Sequence, residues 1–313
     1  MKLANISIDF ESIYHYSVTL GLKHPDRDCD FDRIVDRFLD LFAETGVRAT
    51  FFIVGDDVRS RKLTPEVIRR MVAAGHELAN HTMNHPHNLS RLSRAQKEEE
   101  VIATGRLLES VSGQRVVGFR APCLDVDEDI VEILERNGYW YESSVLPFYL
   151  KQVQQMAYGL ITGGQFRNTG AWQNSFAPGN PYAPRAGKLH RRGSRTITEV
   201  PIATVPILRL PFYSTIHFAL GRRSFDASYS LVRRGRSHFT YELHSIDLAD
   251  CDDDGLRQRY PGIHRHPCLK RPAAENRKFL AYAIRRFQQD YTLTTMREMV
   301  ETLRPDANLL LAG

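Results

Sequence analysis

Strand-like and helix-like segments alternate through the first two-thirds of the chain. That rhythm predicts an α/β fold: a parallel sheet with helices packed outside it, either open or closed into a barrel. Two observations support it. Phe31, Ile34, Val35, Phe38, Leu41 and Phe42 form an apolar stripe at helical period, and short β-rich runs flank this and the later helical stretches.

The elements follow in order. Residues 4–9 (ANISID) read as a strand, and residues 31–45 as a helix that Gly46 ends. Residues 48–54 (RATFFIV) are β-rich, and Pro65 suits the first turn of a helix running to Ala74, before Gly75. Residues 76–80 form a strand, and Ser93 caps a long helix to about Ser112 with Val101, Ile102, Leu108 and Val111 inward. A strand at 116–119, a helix at 127–136 ended by Asn137-Gly138, and a strand at 139–142 continue the pattern. Strands resume at 197–201 and 238–243, and helices at about 273–289 and 294–303 finish it. Residues 150–196, dense in Gly, Pro, Asn and Arg, are too long for an ordinary connection and read as an active-site or substrate-binding insertion.

The chain has 313 residues, 42% hydrophobic and 25% charged, which suits a soluble globular protein of one large domain or two ordinary ones; taken as one, it spans residues 1–313 and carries the 150–196 insertion. No apolar run approaches a membrane span. The N-terminal MKLANISIDFES enters a strand without a secretory pattern, so the expected location is cytoplasmic, with peripheral contact at the inner membrane left open. Cys29, Cys123, Cys251 and Cys268 lack CxxC spacing and are expected as free thiols. The net charge of +5 is local: Arg185, Lys188, Arg191, Arg192 and Arg195, then Arg222, Arg223, Arg233, Arg234 and Arg236. A solvated basic surface explains it, and so does a docking face for an anionic substrate or leaflet. No nucleic-acid-binding motif accompanies the charge, so no nucleic-acid partner is expected.

The chemistry concentrates in His81-Thr-Met-Asn-His85-Pro86 and in Asp9-Phe10-Glu11. Two imidazoles at i and i+4, on a helix or on a turn opening one, can face the same ion, and a distant carboxylate completes a divalent-metal site. Asp9 and Glu11 fall at the C-terminal end of the first strand, where sites collect in such sheets. Two apart, they point to one side, so one can bind the ion while the other takes a proton.

These motifs, with Gly118-Phe-Arg-Ala-Pro122 and Glu242-Leu243-His244, stand in the order of the polysaccharide deacetylase family (carbohydrate esterase family 4, the NodB homology domain), which the chain resembles over about residues 3–303. The resemblance implies a distorted (β/α) barrel with about seven parallel strands. It also implies roles: Asp9 as general base, Glu11, His81 and His85 on the metal, Arg120 orienting the base, and His244 as the acid that protonates the leaving amine. Zinc suits two imidazoles and a carboxylate, and Co2+, Ni2+, Mn2+ or Fe2+ are compatible with the same set. The acid-x-acid first motif departs from the two adjacent aspartates of many members and is similar to that of the lipid-linked aminoarabinose deformylases. Glu142 stands where a family segment carries aspartate, and Asp247 is a second carboxylate near His244.

The expected activity is metal-dependent removal of an N-acetyl or N-formyl group from an amino sugar, polysaccharide precursor or lipid-linked sugar. Two alternatives remain: an allantoinase-like amidohydrolase of a nitrogenous small molecule, and a non-catalytic sugar-binding scaffold. A pure binder has no need of all six site residues, which counts against the scaffold.

Overall fold

The computed structural model describes residues 1–22, 31–150 and 170–304. β1 (Leu3–Phe10) is central and pairs along its whole length with β9 (His238–His244), in parallel, from Leu3↔His238 to Asp9↔His244. On its other side, β2 (Thr50–Ile53), β3 (Glu77–Asn80), β4 (Gly118–Phe119), β5 (Tyr141–Glu142) and β8 (Thr198–Glu199) follow in order, all parallel. The sheet curls until Ile202, just past β8, bridges Thr240 of β9. That bridge returns the sheet to its start, and these seven parallel strands make the expected distorted barrel. β10 (Thr292–Leu293) adds a short eighth parallel strand beside Leu3 and Ala4.

Alternation in β1 explains its two faces. Ala4, Ile6, Ile8 and Phe10 join the main apolar core with Ile34, Phe38 and Phe42 of the helix Asp32–Thr45. Asn5 and Ser7 point the other way into a polar interior. There Asn5 donates to Thr50, Thr50 to Glu77, Tyr141 to Glu77, and Thr240 to Asn5. Gly118 is required by this crowding: a Cβ there would lie 1.9 Å from the ring of Tyr141, its register partner on β5.

The helices form where the sequence places them. Gly46 closes Asp32–Thr45 at φ 67°, Thr64 caps Pro65–Ala73, Ser93 and Gln96 form a capping box on Arg94–Ser112, and Asp127 caps Glu128–Arg136. The structure adds helices at Ile13–Thr19, Ser214–Leu220 and Arg222–Gly235 that the pattern had not indicated. The insertion lies partly outside the described residues, at 151–169. Its described part is a 3-10 turn at Trp172–Phe176 and an antiparallel hairpin of β6 (Pro184–Arg185) and β7 (Lys188–Arg192). Cys251 and Cys268 are buried free thiols as expected, Cys123 is half-buried, and Cys29 lies outside the described residues.

Much of the basic charge is committed within the fold. Arg195 pairs with Glu128 and Glu135, and Arg192 lies over the Tyr182 ring. Arg222 lies over Tyr282, Arg233 pairs with Asp290 at 3.7 Å, and Arg236 bonds to Thr204. Among the described residues no helix is long and apolar enough to cross a membrane.

Two buried imidazoles outside the barrel predict acid sensitivity. His76 accepts from the Ala49 amide at Nδ1, and His217 shares a hydrogen bond with the Tyr241 hydroxyl; burial holds both down to about 4. In the unfolded chain both rings take protons below about pH 6.5. Stability is therefore full above that pH and falls as pH drops toward about 4, by about 2–3 kcal/mol per ring. Urea midpoints measured from pH 7 to 4.5 should decline over this window, and His217→Gln should flatten the slope. An unchanged slope would remove His217 as a cause.

Candidate active site

Every predicted site residue lies at the C-terminal end of the parallel strands and is buried or nearly so. Asp9 ends the inward-facing series of β1, and Glu11 follows just past the strand. His81 and His85 leave β3 on a loop, not on a helix. Thr82 at φ 66° and His85 at φ 53° take left-handed backbone there, so the i, i+4 spacing works through a tight turn rather than a helical face. Arg120 follows β4, and His244 ends β9 beside Asp9 as its register partner. Neighbouring strands lie about 4.8 Å apart, so this register sets the candidate base and acid side by side.

Arg120 is the structural centre. It is fully buried, with Nη1 donating to Asp9 Oδ1 at 2.5 Å, Nη2 to Ser7 Oγ and Ser143 Oγ at 3.0 Å each, and Nε to the Ser143 carbonyl at 2.9 Å. Its guanidinium also lies 4.2 Å from the Phe52 ring centroid and 3.7 Å from Glu242. Burial pushes the Asp9 carboxyl up, but Arg120, His81 and His244 outweigh it and hold Asp9 below its ordinary value. Asp9 is therefore an ionised, oriented carboxylate.

His81 Nδ1 donates to the Arg120 carbonyl at 2.8 Å, which fixes the ring and leaves the Nε2 lone pair for the site, 3.9 Å from Asp9 Oδ2. Burial lowers its pKa to about 4, so the ring is neutral and able to ligate. His85 Nε2 stands 2.8 Å from Glu11 Oε2, yet that buried oxygen accepts no aligned hydrogen bond. A buried carboxylate oxygen beside two imidazole rings 5.1 Å apart fits a cation.

Of the three expected ligands, His85 meets Glu11 at 2.8 Å and the His81 ring at 5.1 Å between centroids, but the three do not gather within 4.8 Å of one another. The tightest group of metal-type donors among the described residues is instead Asp9, Glu242 and His244, within 4.8 Å of one another. That group lies against the Arg120 guanidinium, whose positive charge already holds Asp9 and repels a second cation.

Sequence reasoning missed Glu242, Ser7 and Ser143. The signal existed in strand parity: Ser7 is two before Asp9, and Glu242 is two before His244, on the same inward faces. Glu242 matters most. Burial and neighbouring Asp9 push it up to about 7. Burial would lower the His244 pKa, but Glu242, then Asp9 and Asp247, raise it. Asp247 accepts from the His244 amide at 3.0 Å and from Ser214, so its part is chiefly to hold the backbone. Glu142 does not reach His244; it pairs in register with Glu199 of β8, while the adjacent Ser143 serves Arg120. Tyr16 packs edge-on against His244, with ring centroids 5.5 Å apart, and shares a 2.9 Å hydrogen bond with His266.

Residues 26–141 match the family model described as polysaccharide deacetylase. That segment contains His81, His85 and Arg120; Asp9, Glu11 and His244 lie outside it and rest on geometry. A chitooligosaccharide deacetylase of Bradyrhizobium sp. (strain ANU 289) is 47% identical over 101 residues, 32% of this chain and 44% of that protein. A peptidoglycan-N-acetylglucosamine deacetylase of Bacillus cereus is 29% identical over 104 residues, 33% of this chain and 34% of that protein. The matches thus span less than half the length of these curated relatives. A putative polysaccharide deacetylase from Mycobacterium smegmatis has the same fold, with a TM-score of 0.56 at 18% identity over 97% of this chain and 90% of that one. Over residues 26–141 the chain is similar to the polysaccharide deacetylase family, and it shares the fold of a putative polysaccharide deacetylase over nearly its whole length.

Proposed function

We propose that this protein is a metal-dependent hydrolase that removes an N-acyl group, acetyl or formyl, from an amino sugar within a soluble oligosaccharide or polysaccharide precursor. One observation carries the reading: the Arg120-held Asp9 lies beside His244 in register, with the Glu11–His85 pair adjoining at the same strand ends. Glu11, His81 and His85 would hold the divalent ion, which when bound lowers the pKa of water and polarises the amide carbonyl.

The chain's own groups supply the rest. Asp9, kept ionised by Arg120, takes a proton from the attacking water as its oxygen bonds to the carbonyl carbon. His244, its pKa raised by Glu242, is the group placed to give a proton to the sugar nitrogen as the C–N bond breaks. The products are a carboxylate and a free amine.

The paired arginines of the insertion weaken the charge argument for a lipid-phosphate carrier. The names of the relatives support an oligosaccharide instead. The test is a substrate panel with metal analysis. The wild type is expected to retain a divalent ion and to deacylate N-acetyl or N-formyl sugars, and His81→Ala to lose both properties. Activity on allantoin-like amides alone would replace this reading with the small-molecule amidohydrolase. Activity on lipid-linked sugars alone would restore the carrier.

A further inference from the structure

Three large aromatic side chains stand exposed together where the insertion meets the barrel: Tyr149, Trp172 and Phe176, the last two 55% and 56% exposed. They form one group, with Phe176 5.5 Å from Tyr149 and 5.9 Å from Trp172 between ring centroids, and Arg209 lies over Tyr149 at 5.1 Å. Scattered exposed apolar residues are ordinary, but a cluster of rings marks a binding surface.

Trp172 and Phe176 line a cleft of about 410 Å3 with Gln173, His190 and Arg191. A second cleft of about 380 Å3 shares Gln173 and His190 with it. That second cleft is also lined by Ser90, Asp125, Asp127 and Glu128, which follow β3 and β4 beyond His85 and Arg120, the last at the start of the helix Glu128–Arg136. Ser90 and Asp125 are tied by a 3.0 Å hydrogen bond. The insertion is set tightly against this wall: a Cβ on Gly170 would lie 2.6 Å from the Leu124 carbonyl. The two clefts therefore run from the loops that carry the site out to the aromatic group.

We propose that these adjoining clefts form a secondary carbohydrate subsite. Trp172 and Phe176 stack on the apolar face of a sugar ring, and the polar wall bonds its hydroxyls. The bound ring belongs to the same chain as the sugar whose amide is cut, one or more units away. This rests on the proposed deacylase reading. A neutral, polyhydroxylated ligand suits rings facing a polar wall. A bilayer suits them less, because the site is a pair of concave clefts rather than a flat apolar face.

The experiment compares the wild type with Trp172→Ala and Phe176→Ala, whose exposed side chains leave the fold intact by circular dichroism. Turnover is measured on N-acetyl chitooligosaccharides of two and of five units. Binding of the five-unit sugar to Asp9→Asn, with and without Trp172→Ala, is measured by calorimetry. Trp172→Ala is expected to raise KM and Kd for the longer sugar about tenfold, with kcat and the two-unit substrate unchanged. Equal KM and Kd with and without Trp172 overturn the subsite. If no sugar is turned over but Trp172→Ala still weakens binding, the deacylase reading falls and the subsite stands. If neither turnover nor binding is seen, both fall. If Trp172→Ala abolishes co-sedimentation with anionic vesicles and leaves sugar binding untouched, the surface is a membrane contact and the subsite is overturned.

Discussion

Arg120→Met is expected to destabilise the protein by about 3–5 kcal/mol and to lower turnover at least about a hundredfold. The guanidinium is fully buried, donates four hydrogen bonds, and offsets the charge of two buried carboxylates, Asp9 and Glu242. Methionine fills similar space but removes the donor to Asp9, to two serine hydroxyls and to the Ser143 carbonyl, and leaves both carboxylates without their counter-charge. The carboxyls would respond by protonating, which also removes the base. Arg120→Lys keeps a charge but not the planar fork and should fall between the two. Urea midpoints and kcat on the same preparations check this. A loss below about 1 kcal/mol for the methionine variant would contradict the central place given to Arg120.

Asp9→Asn is expected to lower kcat by about 10^3–10^4-fold with a small change in stability. The amide is nearly isosteric, and its oxygen can still accept from Arg120 Nη1. What it cannot do is take a proton from water. Burial and, after it, the Asp9 charge push Glu242 up to about 7; losing that charge removes the second cause, so Glu242 should ionise more readily and keep Arg120 neutralised. Single-turnover rates with matched metal loading separate this from a metal-binding defect. Retention of more than a tenth of wild-type kcat would assign the base elsewhere, with Glu242 the next carboxylate to examine.

The barrel was legible because its elements obey simple periods. β1 alternates cleanly, the helix Asp32–Thr45 carries an apolar stripe, and Arg94–Ser112 is marked by its capping box, although of the expected inward residues Ile102 and Val111 are only partly buried while Lys97, Glu100 and Thr104 are buried. The helix Arg222–Gly235 was hidden although Phe225, Tyr229 and Val232 follow helical spacing, because the arginines around them read as a charged surface. β10, with two residues, leaves no periodic trace. At the site, the histidine pair and Arg120 stood out by motif. The left-handed turn that brings His85 round did not, since only tertiary packing selects φ > 0 at a histidine. Glu242 was the largest omission. It sits within the quoted Glu-Leu-His segment, and its role appears only when β9 lies beside β1 and sets it against Arg120.

In the proposed reaction Asp9, Arg120 and His244 would work with a metal held by Glu11, His81 and His85 to cleave an N-acyl amide. The most direct measurement is acetate release from an N-acetyl chitooligosaccharide by the purified chain, followed together with free-amine formation. The prediction is equimolar acetate and amine, abolished by a chelator, restored by a divalent ion, and lost in Asp9→Asn. Release that survives both the chelator and Asp9→Asn, or its absence from metal-loaded wild type across N-acetyl and N-formyl sugars, would contradict it.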